Sequence, residues 1–241
     1  MVQVKHLLKN MATSTALTSD EFLRQIEGAS RKAVNSLAVD RKVNRMKVIE
    51  RMTKNSAIPR RFVNSSLTAG CHEVQKGAYS HAQDFVKNFN EHLVSGAGLL
   101  LFGDVGTGKT HLACAIANSL LADFRVVMYC TVLEAVMLVK NSWHSSSDVS
   151  EYEVYQQFTV PDLLILDEVG VQHGSDFEAM VISSVIDARS RKCLPTIAIS
   201  NYSPEKVLEI LGERAFDRLM GFGGKVIEMR GGSLRHNVVY L

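Results

Sequence analysis

The chain has 241 residues, 46% of them hydrophobic and 22% charged, with a net charge of +2. That is enough apolar material for a real core, either as one large domain or as one domain with a smaller appendage. No run of about 18 apolar residues occurs, which excludes a membrane-spanning helix, and Lys9 and Asn10 interrupt the only apolar stretch near the N-terminus, so no signal peptide is expected.

The charge is unevenly spread. Residues 1–61 carry 13 Lys and Arg against 5 Asp and Glu, a net +8, and the remainder carries 14 against 20, a net −6. A basic arm suits an acidic protein surface or a nucleic acid, and charge alone allows a solvated helical face equally well. Thr18-Ser19-Asp20-Glu21 reads as a helix start, with Ser19 or Thr18 as the cap. From there to about Lys54 there is no proline and one glycine, Gly28, and Phe22, Leu23, Ile26, Ala29, Ala33, Val34 and Leu37 fall near helical spacing. Residues 1–54 are therefore expected to form one or two amphipathic helices, a small helical N-terminal domain too thin for its own core. Residues 55–75 read as a linker, because Pro59 biases its predecessor away from helix, and residues 76–241 read as the main domain.

The main domain opens with a helix over about 78–94, with Ala82, Phe85, Val86, Phe89 and Leu93 on one face. Gly98-Leu99-Leu100-Leu101-Phe102 reads as a buried strand. Next come Gly103-Asp104-Val105-Gly106-Thr107-Gly108-Lys109-Thr110, which match the phosphate-binding pattern G-x-x-x-x-G-K-[ST], and a helix over His111–Asn118. Glycines let backbone amides turn inward around phosphates, and the helix N-terminus adds a positive dipole end. These eight residues and the adjoining His111 are the expected nucleotide-binding set. Lys109 should reach the β- and γ-phosphates, and Thr110 should turn its hydroxyl to Mg²⁺. His111 itself reads as a helix packing residue rather than a catalyst.

A strand follows over 125–131, a helix over roughly 132–142, and a polar loop at Ser145-Ser146-Ser147. Leu163-Leu164-Ile165-Leu166-Asp167-Glu168 is an apolar strand ending in two carboxylates. Asp167 would hold Mg²⁺ and Glu168 would polarise the water that attacks the γ-phosphate. Mere nucleotide binding does not need the second carboxylate, so the pair argues for hydrolysis of ATP to ADP. A helix over about 176–190 and the strand Thr196–Ser200 complete the pattern. Strands alternating with helices predict an α/β fold with a doubly wound parallel sheet, whose strand order the pattern does not reveal. Asn201 ends the last strand, beside the carboxyl ends of its neighbours, where its amide could orient the attacking water or simply open the turn before Ser203-Pro204. Trp143 and Phe177 are candidates for stacking on the bases of single-stranded DNA, with Lys140 on phosphate, or for packing within the fold. Cys71, Cys114, Cys130 and Cys193 form no C-x-x-C pair and read as reduced thiols of a cytoplasmic protein.

The phosphate loop, the Asp167-Glu168 pair, a polar residue ending the next strand and downstream arginines together resemble the AAA+ ATPases, a class of P-loop NTPases. Leu166-Asp167-Glu168-Val169-Gly170-Val171-Gln172, Leu211-Gly212-Glu213-Arg214-Ala215-Phe216-Asp217-Arg218-Leu219 and Asn55-Ser56-Ala57-Ile58-Pro59 are similar to segments of the DnaC/IstB group. The similarity extends over most of residues 50–235. The group includes replicative helicase loaders and transposition ATPases, and these motifs identify the group better than they separate its members. The resemblance implies that Asn201 is the sensor 1 residue and that Arg218 is an arginine finger acting on ATP in a neighbouring subunit, with Arg214 close enough to share the role. It also implies that Arg235, in Gly231-Gly232-Ser233-Leu234-Arg235, is the sensor 2 residue on the nucleotide. From the residues alone, Arg218 reads as a surface ion-pair partner of Asp217 or Glu213. The implied function is that of an ATP-controlled loader in the cytoplasm, with no membrane contact. Its arm binds the replicative helicase hexamer, its ATPase domains self-associate and hold single-stranded DNA, and hydrolysis acts as the release switch. The alternative is a transposition helper that assembles on duplex DNA.

Overall fold

Four short apolar strands and a fifth, mostly exposed edge strand build one parallel sheet in the computed structural model, which describes residues 52–54, 56–68, 75–144, 149–170 and 176–233. Readings that fall elsewhere lie outside the described residues: the arm over 1–51, Cys71, the Ser145–Ser147 loop, Val171 and Gln172, and Arg235. The strands are β1 (Leu99–Phe102), β2 (Val127–Thr131), β3 (Leu163–Asp167), β4 (Thr196–Ser200) and β5 (Lys225–Glu228). Their order in space is β2-β3-β4-β1-β5, with every neighbouring pair parallel.

The helices are α1 (Lys76–Lys87), α2 (Phe89–Ser95), α3 (Lys109–Ala122), α4 (Val132–Ser142), α5 (Glu151–Phe158), α6 (Asp176–Ser190), α7 (Pro204–Leu211) and α8 (Glu213–Met220). Successive strand residues point to opposite faces. Leu99, Leu101, Tyr129, Ile165, Ile197 and Ile199 join the core formed with α1, α2 and α3. Leu100, Cys130, Leu164, Leu166 and Ala198 join the core formed with α4 to α8. Covered on both faces, β3 and β4 are buried along their whole length, which is why they read as continuous apolar runs rather than alternating ones.

Three local features depart from the sequence reading. The helix expected over 78–94 is two helices, because the backbone at Asn88 leaves helical geometry (φ −101°, ψ 20°). Helix α5 has no counterpart in the reading, although its signal is present: Ser150 caps the helix and Glu153 returns the bond, an S-x-x-E capping box. Strand β5 lies at the sheet edge with only Ile227 buried, so it offers no periodicity to detect.

The segment expected to be a linker is packed into the domain over residues 56–68. Ile58 and Leu67 are core residues. The Asn118 amide on α3 donates to the carbonyls of Phe62 and Ser65, both at 2.9 Å. The Tyr129 N–H donates to the Ser56 carbonyl at 2.7 Å, so this segment occupies the outer edge of β2. Its apolar residues lie on both sides of Pro59, and a break in helix propensity there marks a turn rather than a boundary.

Candidate nucleotide site

The loop after β1 occupies the carboxyl edge of the sheet. Lys109 is the first residue of α3, and no side chain caps that helix, the arrangement that suits an anion at a helix N-terminus. Lys109 Nζ donates to the carbonyls of Gly103 and Asp104, each at 2.7 Å, which folds its ammonium over the loop. Gly106 has φ 88°, and a Cβ there would lie 2.7 Å from the Ser233 Cβ. Only glycine fits, because the chain after β5 runs against the loop: the Met229 N–H donates to the Phe102 carbonyl at 2.7 Å, and the buried Gln75 amide bridges the carbonyls of Thr107 and Arg230. Arg235 follows Ser233 by two positions in the sequence and lies outside the described residues.

Asp167 is buried at the end of β3 and is held by three donors. Thr110 Oγ1 donates to its Oδ2 at 2.9 Å and the Tyr129 hydroxyl donates to the same oxygen at 2.7 Å. The Glu168 N–H donates to Oδ1 at 2.7 Å. Glu168 has φ 64°, in the left-handed region, at a typical cost of about 1–3 kcal/mol. The turn that enforces this is clamped to β4: the Val169 N–H donates to the Ile199 carbonyl at 2.8 Å, and Ser200 Oγ donates to the Val169 carbonyl at 2.7 Å. The result is an exposed Glu168 carboxylate standing beside a buried Asp167.

One cavity of about 570 Å³ takes in both halves. Val105, Gly106, Gly108, Lys109, Thr110, Asp167, Glu168 and Asn201 line it together. Strand order explains this: β4 lies between β1 and β3, so Asn201 emerges between the phosphate loop and the carboxylates. Thr110 and Asp167 provide a hydroxyl and a carboxylate in contact, hard oxygen donors of the kind Mg²⁺ takes alongside waters and phosphate oxygens.

Pro59, Arg61, Phe62 and His111 also line the cavity. His111 packs within the fold and also lines the cavity. Its ring packs edge-on to Phe62 and Nδ1 meets the Tyr79 hydroxyl at 3.1 Å. Burial holds its pKa below the usual histidine value, which favours the neutral ring. Sequence reasoning missed Arg61, Phe62 and Tyr129. Nothing in an irregular segment or in the middle of a strand marks such residues as site residues, and only the fold brings them here.

Two groups of candidates lie away from the cavity lining. Arg218, on α8, pairs with Asp187 on α6 rather than with Asp217 or Glu213, and Arg191 pairs with the same carboxylate. Arg214 is exposed near the start of α8. Trp143, Lys140 and Phe177 form a cluster of their own. The Trp143 ring meets Phe177 edge-on at 5.2 Å, Lys140 Nζ lies 5.2 Å from the centre of the Phe177 ring, and Trp143 Nε1 donates to Glu151 Oε2 at 2.8 Å. Trp143 is 54% exposed, so one ring of the cluster is open to solvent.

Comparison with known proteins places this geometry. The family of IstB-like ATP binding proteins matches residues 8–238. The chain is 34% identical over 190 residues to the replicative helicase loader DnaC of Escherichia coli, covering 78% of this chain and 75% of that one. It is 31% identical over 188 residues to the replicative helicase loader DnaC of Buchnera aphidicola, covering 77% and 75%. A crystal structure of the DnaC helicase loader shares the fold with a TM-score of 0.62 at 23% identity, covering 71% of this chain and 100% of that one.

Proposed function

This chain belongs to the DnaC/IstB family of ATP-binding proteins, and on that premise we propose that it is an ATP-dependent loader that binds a replicative DNA helicase and helps to place it on single-stranded DNA. One observation carries the reading furthest. Lys109, Thr110, Asp167, Glu168 and Asn201 converge on one cavity while Arg218 lies outside its lining. The convergence supports ATP held within one subunit, and Arg218, outside the lining, is proposed to act on a neighbour's nucleotide, so that turnover depends on assembly.

In the proposed reaction Lys109 exchanges its bonds to the Gly103 and Asp104 carbonyls for phosphate oxygens. Thr110 and Asp167 would hold Mg²⁺, which would supply positive charge to offset that of the phosphates. Glu168 polarises the attacking water and the Asn201 amide orients it. Arg218 leaves Asp187 and, with Arg214 nearby, stabilises the charge developing on a neighbour's γ-phosphate. Arg235 contributes a second cation to the nucleotide. Hydrolysis then releases the loader from the helicase.

Residues 1–54 are proposed to bind the helicase. The deletion that tests this removes residues 1–48, because Ile49–Leu241 is a compact unit and Met52 packs on its core. Full-length chain with ATP is expected to co-purify with the replicative helicase of its host, and the deletion is not. If neither binds, and ATP turnover instead responds to duplex DNA, the chain is a transposition helper. Among the described residues no helix is long and apolar enough to cross a membrane, and a cytoplasmic site of action is part of the proposal.

Single-stranded DNA is proposed to stack on Trp143, backed by Phe177 and Lys140. Base–aromatic stacking is worth about 1–3 kcal/mol per base, so Trp143→Ala is expected to weaken binding of an oligo-dT strand about tenfold at fixed salt. Fluorescence anisotropy reads this directly. Unchanged affinity would leave Trp143 as a packing partner of Phe177 and Glu151 only.

A further inference from the structure

We propose that Tyr129 is a positioning residue for the metal-holding carboxylate, an inference that rests on the nucleotide reading above. Tyr129 lies in the middle of β2, where the chain needs only an apolar side chain. Its ring is buried in the core shared with α1 and α3, and its hydroxyl donates to Asp167 Oδ2 at 2.7 Å. In the register of β2 against β3, Tyr129 is opposite Ile165, and Asp167 is opposite Thr131. The carboxylate is thus one full pleat, about 7 Å, farther along the same face. A phenol is long enough to span that distance, whereas a phenylalanine ends one atom short.

The consequence is restraint. Asp167 Oδ1 is held by the Glu168 N–H, and Oδ2 by two hydroxyls, those of Thr110 and Tyr129. With all three donors in place the plane of the carboxylate is fixed. Were the Thr110 hydroxyl recruited to a metal, the phenol would remain as the side-chain donor to Oδ2. Tyr129 is itself anchored: its N–H donates to the Ser56 carbonyl at 2.7 Å, and Ser56 Oγ donates to the Thr53 carbonyl at 2.7 Å. The outer edge of β2 is thus hydrogen-bonded at the very residue that reaches the site.

Removing a partner that orients a metal ligand typically costs 10–100-fold in metal affinity. The test compares full-length wild type with Tyr129→Phe, using binding of a fluorescent ATP analogue first in EDTA and then across a Mg²⁺ titration. Tyr129→Phe is expected to bind the analogue in EDTA within about twofold of wild type, to need about tenfold more Mg²⁺ for its half-maximal response, and to recover fully at saturating Mg²⁺. An unchanged Mg²⁺ midpoint would overturn the proposal, and so would an equal loss of affinity in EDTA, which would make Tyr129 a packing residue. If wild type does not bind the analogue at all, the nucleotide reading fails and the proposal fails with it; if it binds but ignores Mg²⁺, the metal-holding role of Asp167 fails and the proposal again falls. If wild type responds and the variant matches it, only the role of Tyr129 fails.

Discussion

Glu168→Gln is expected to leave ATP bound but to slow its hydrolysis about 100- to 1,000-fold in the presence of helicase and single-stranded DNA. General-base assistance contributes about 10²–10⁴ in rate, and glutamine keeps the shape of the side chain while losing the capacity to take a proton. Binding should survive because the proposed reading gives the task of holding the phosphates to the loop over 103–108 and to Lys109, whose ammonium bridges two loop carbonyls, and not to Glu168. The turn should survive as well, since it is built by backbone bonds from Val169 to β4. Phosphate release in a single turnover, measured beside equilibrium ATP binding, separates the two effects. Hydrolysis at the wild-type rate would remove Glu168 from the chemistry and leave its left-handed backbone without a functional reason.

A second large effect is expected far from the cavity. Arg189, at the end of α6, is fully buried, and no carboxylate is hydrogen-bonded to it. Its guanidinium donates instead to four carbonyls and a hydroxyl: Phe158 at 2.6 Å, Pro161 at 2.9 Å, Asp162 at 3.3 Å, Pro195 at 2.7 Å and Thr196 Oγ1 at 3.0 Å. Burial pulls its pKa down to about 9, which still leaves it protonated at neutral pH. The side chain ties the end of α5, the turn into β3 and the first residue of β4 into one unit.

Arg189→Leu removes every one of those donors. The stranded carbonyls cost about 1–3 kcal/mol each where water cannot reach them, and a total loss of at least about 4 kcal/mol is expected. A domain is stable by only about 5–15 kcal/mol, so the variant should melt far below wild type or fail to accumulate. Arg189→Lys should recover part of the loss, because an ammonium offers three donors where five are used. Urea denaturation of the three proteins measures this. A loss under about 1 kcal/mol for Arg189→Leu would mean that water replaces the guanidinium.

The contrast between these two residues shows how much the sequence carries. The phosphate loop and the Asp167-Glu168 strand end are contiguous, and their chemistry depends on local geometry. A glycine-rich turn between a strand and a helix, and acids at the end of a buried strand, are stated wherever those letters occur. The helix over 132–142 matched the observed Val132–Ser142 for the same reason, since its cap Thr131 and its capping partner Glu134 are three residues apart. Arg189 gives no such sign. A lone arginine in the last turn of a helix reads as a solvated cation, and only the convergence of three chain segments makes it a buried strut.

What the sequence by itself determined is the set of local elements and the residues with short-range partners: the apolar strands, the phosphate loop, the acidic pair and the alternating α/β pattern. What only the tertiary structure decided is everything that depends on strand order and on which segments share an edge. The order β2-β3-β4-β1-β5 sets Asn201 between the phosphate loop and the carboxylates. The same packing turns residues 56–68 from a linker into a wall of the cavity, aims Tyr129 at Asp167, and holds Arg218 on Asp187. The physical reason is range. Periodicity, capping and turn chemistry act over a few residues and leave a pattern in the sequence, whereas these contacts join residues 30 or more positions apart through free energies that depend on the whole core.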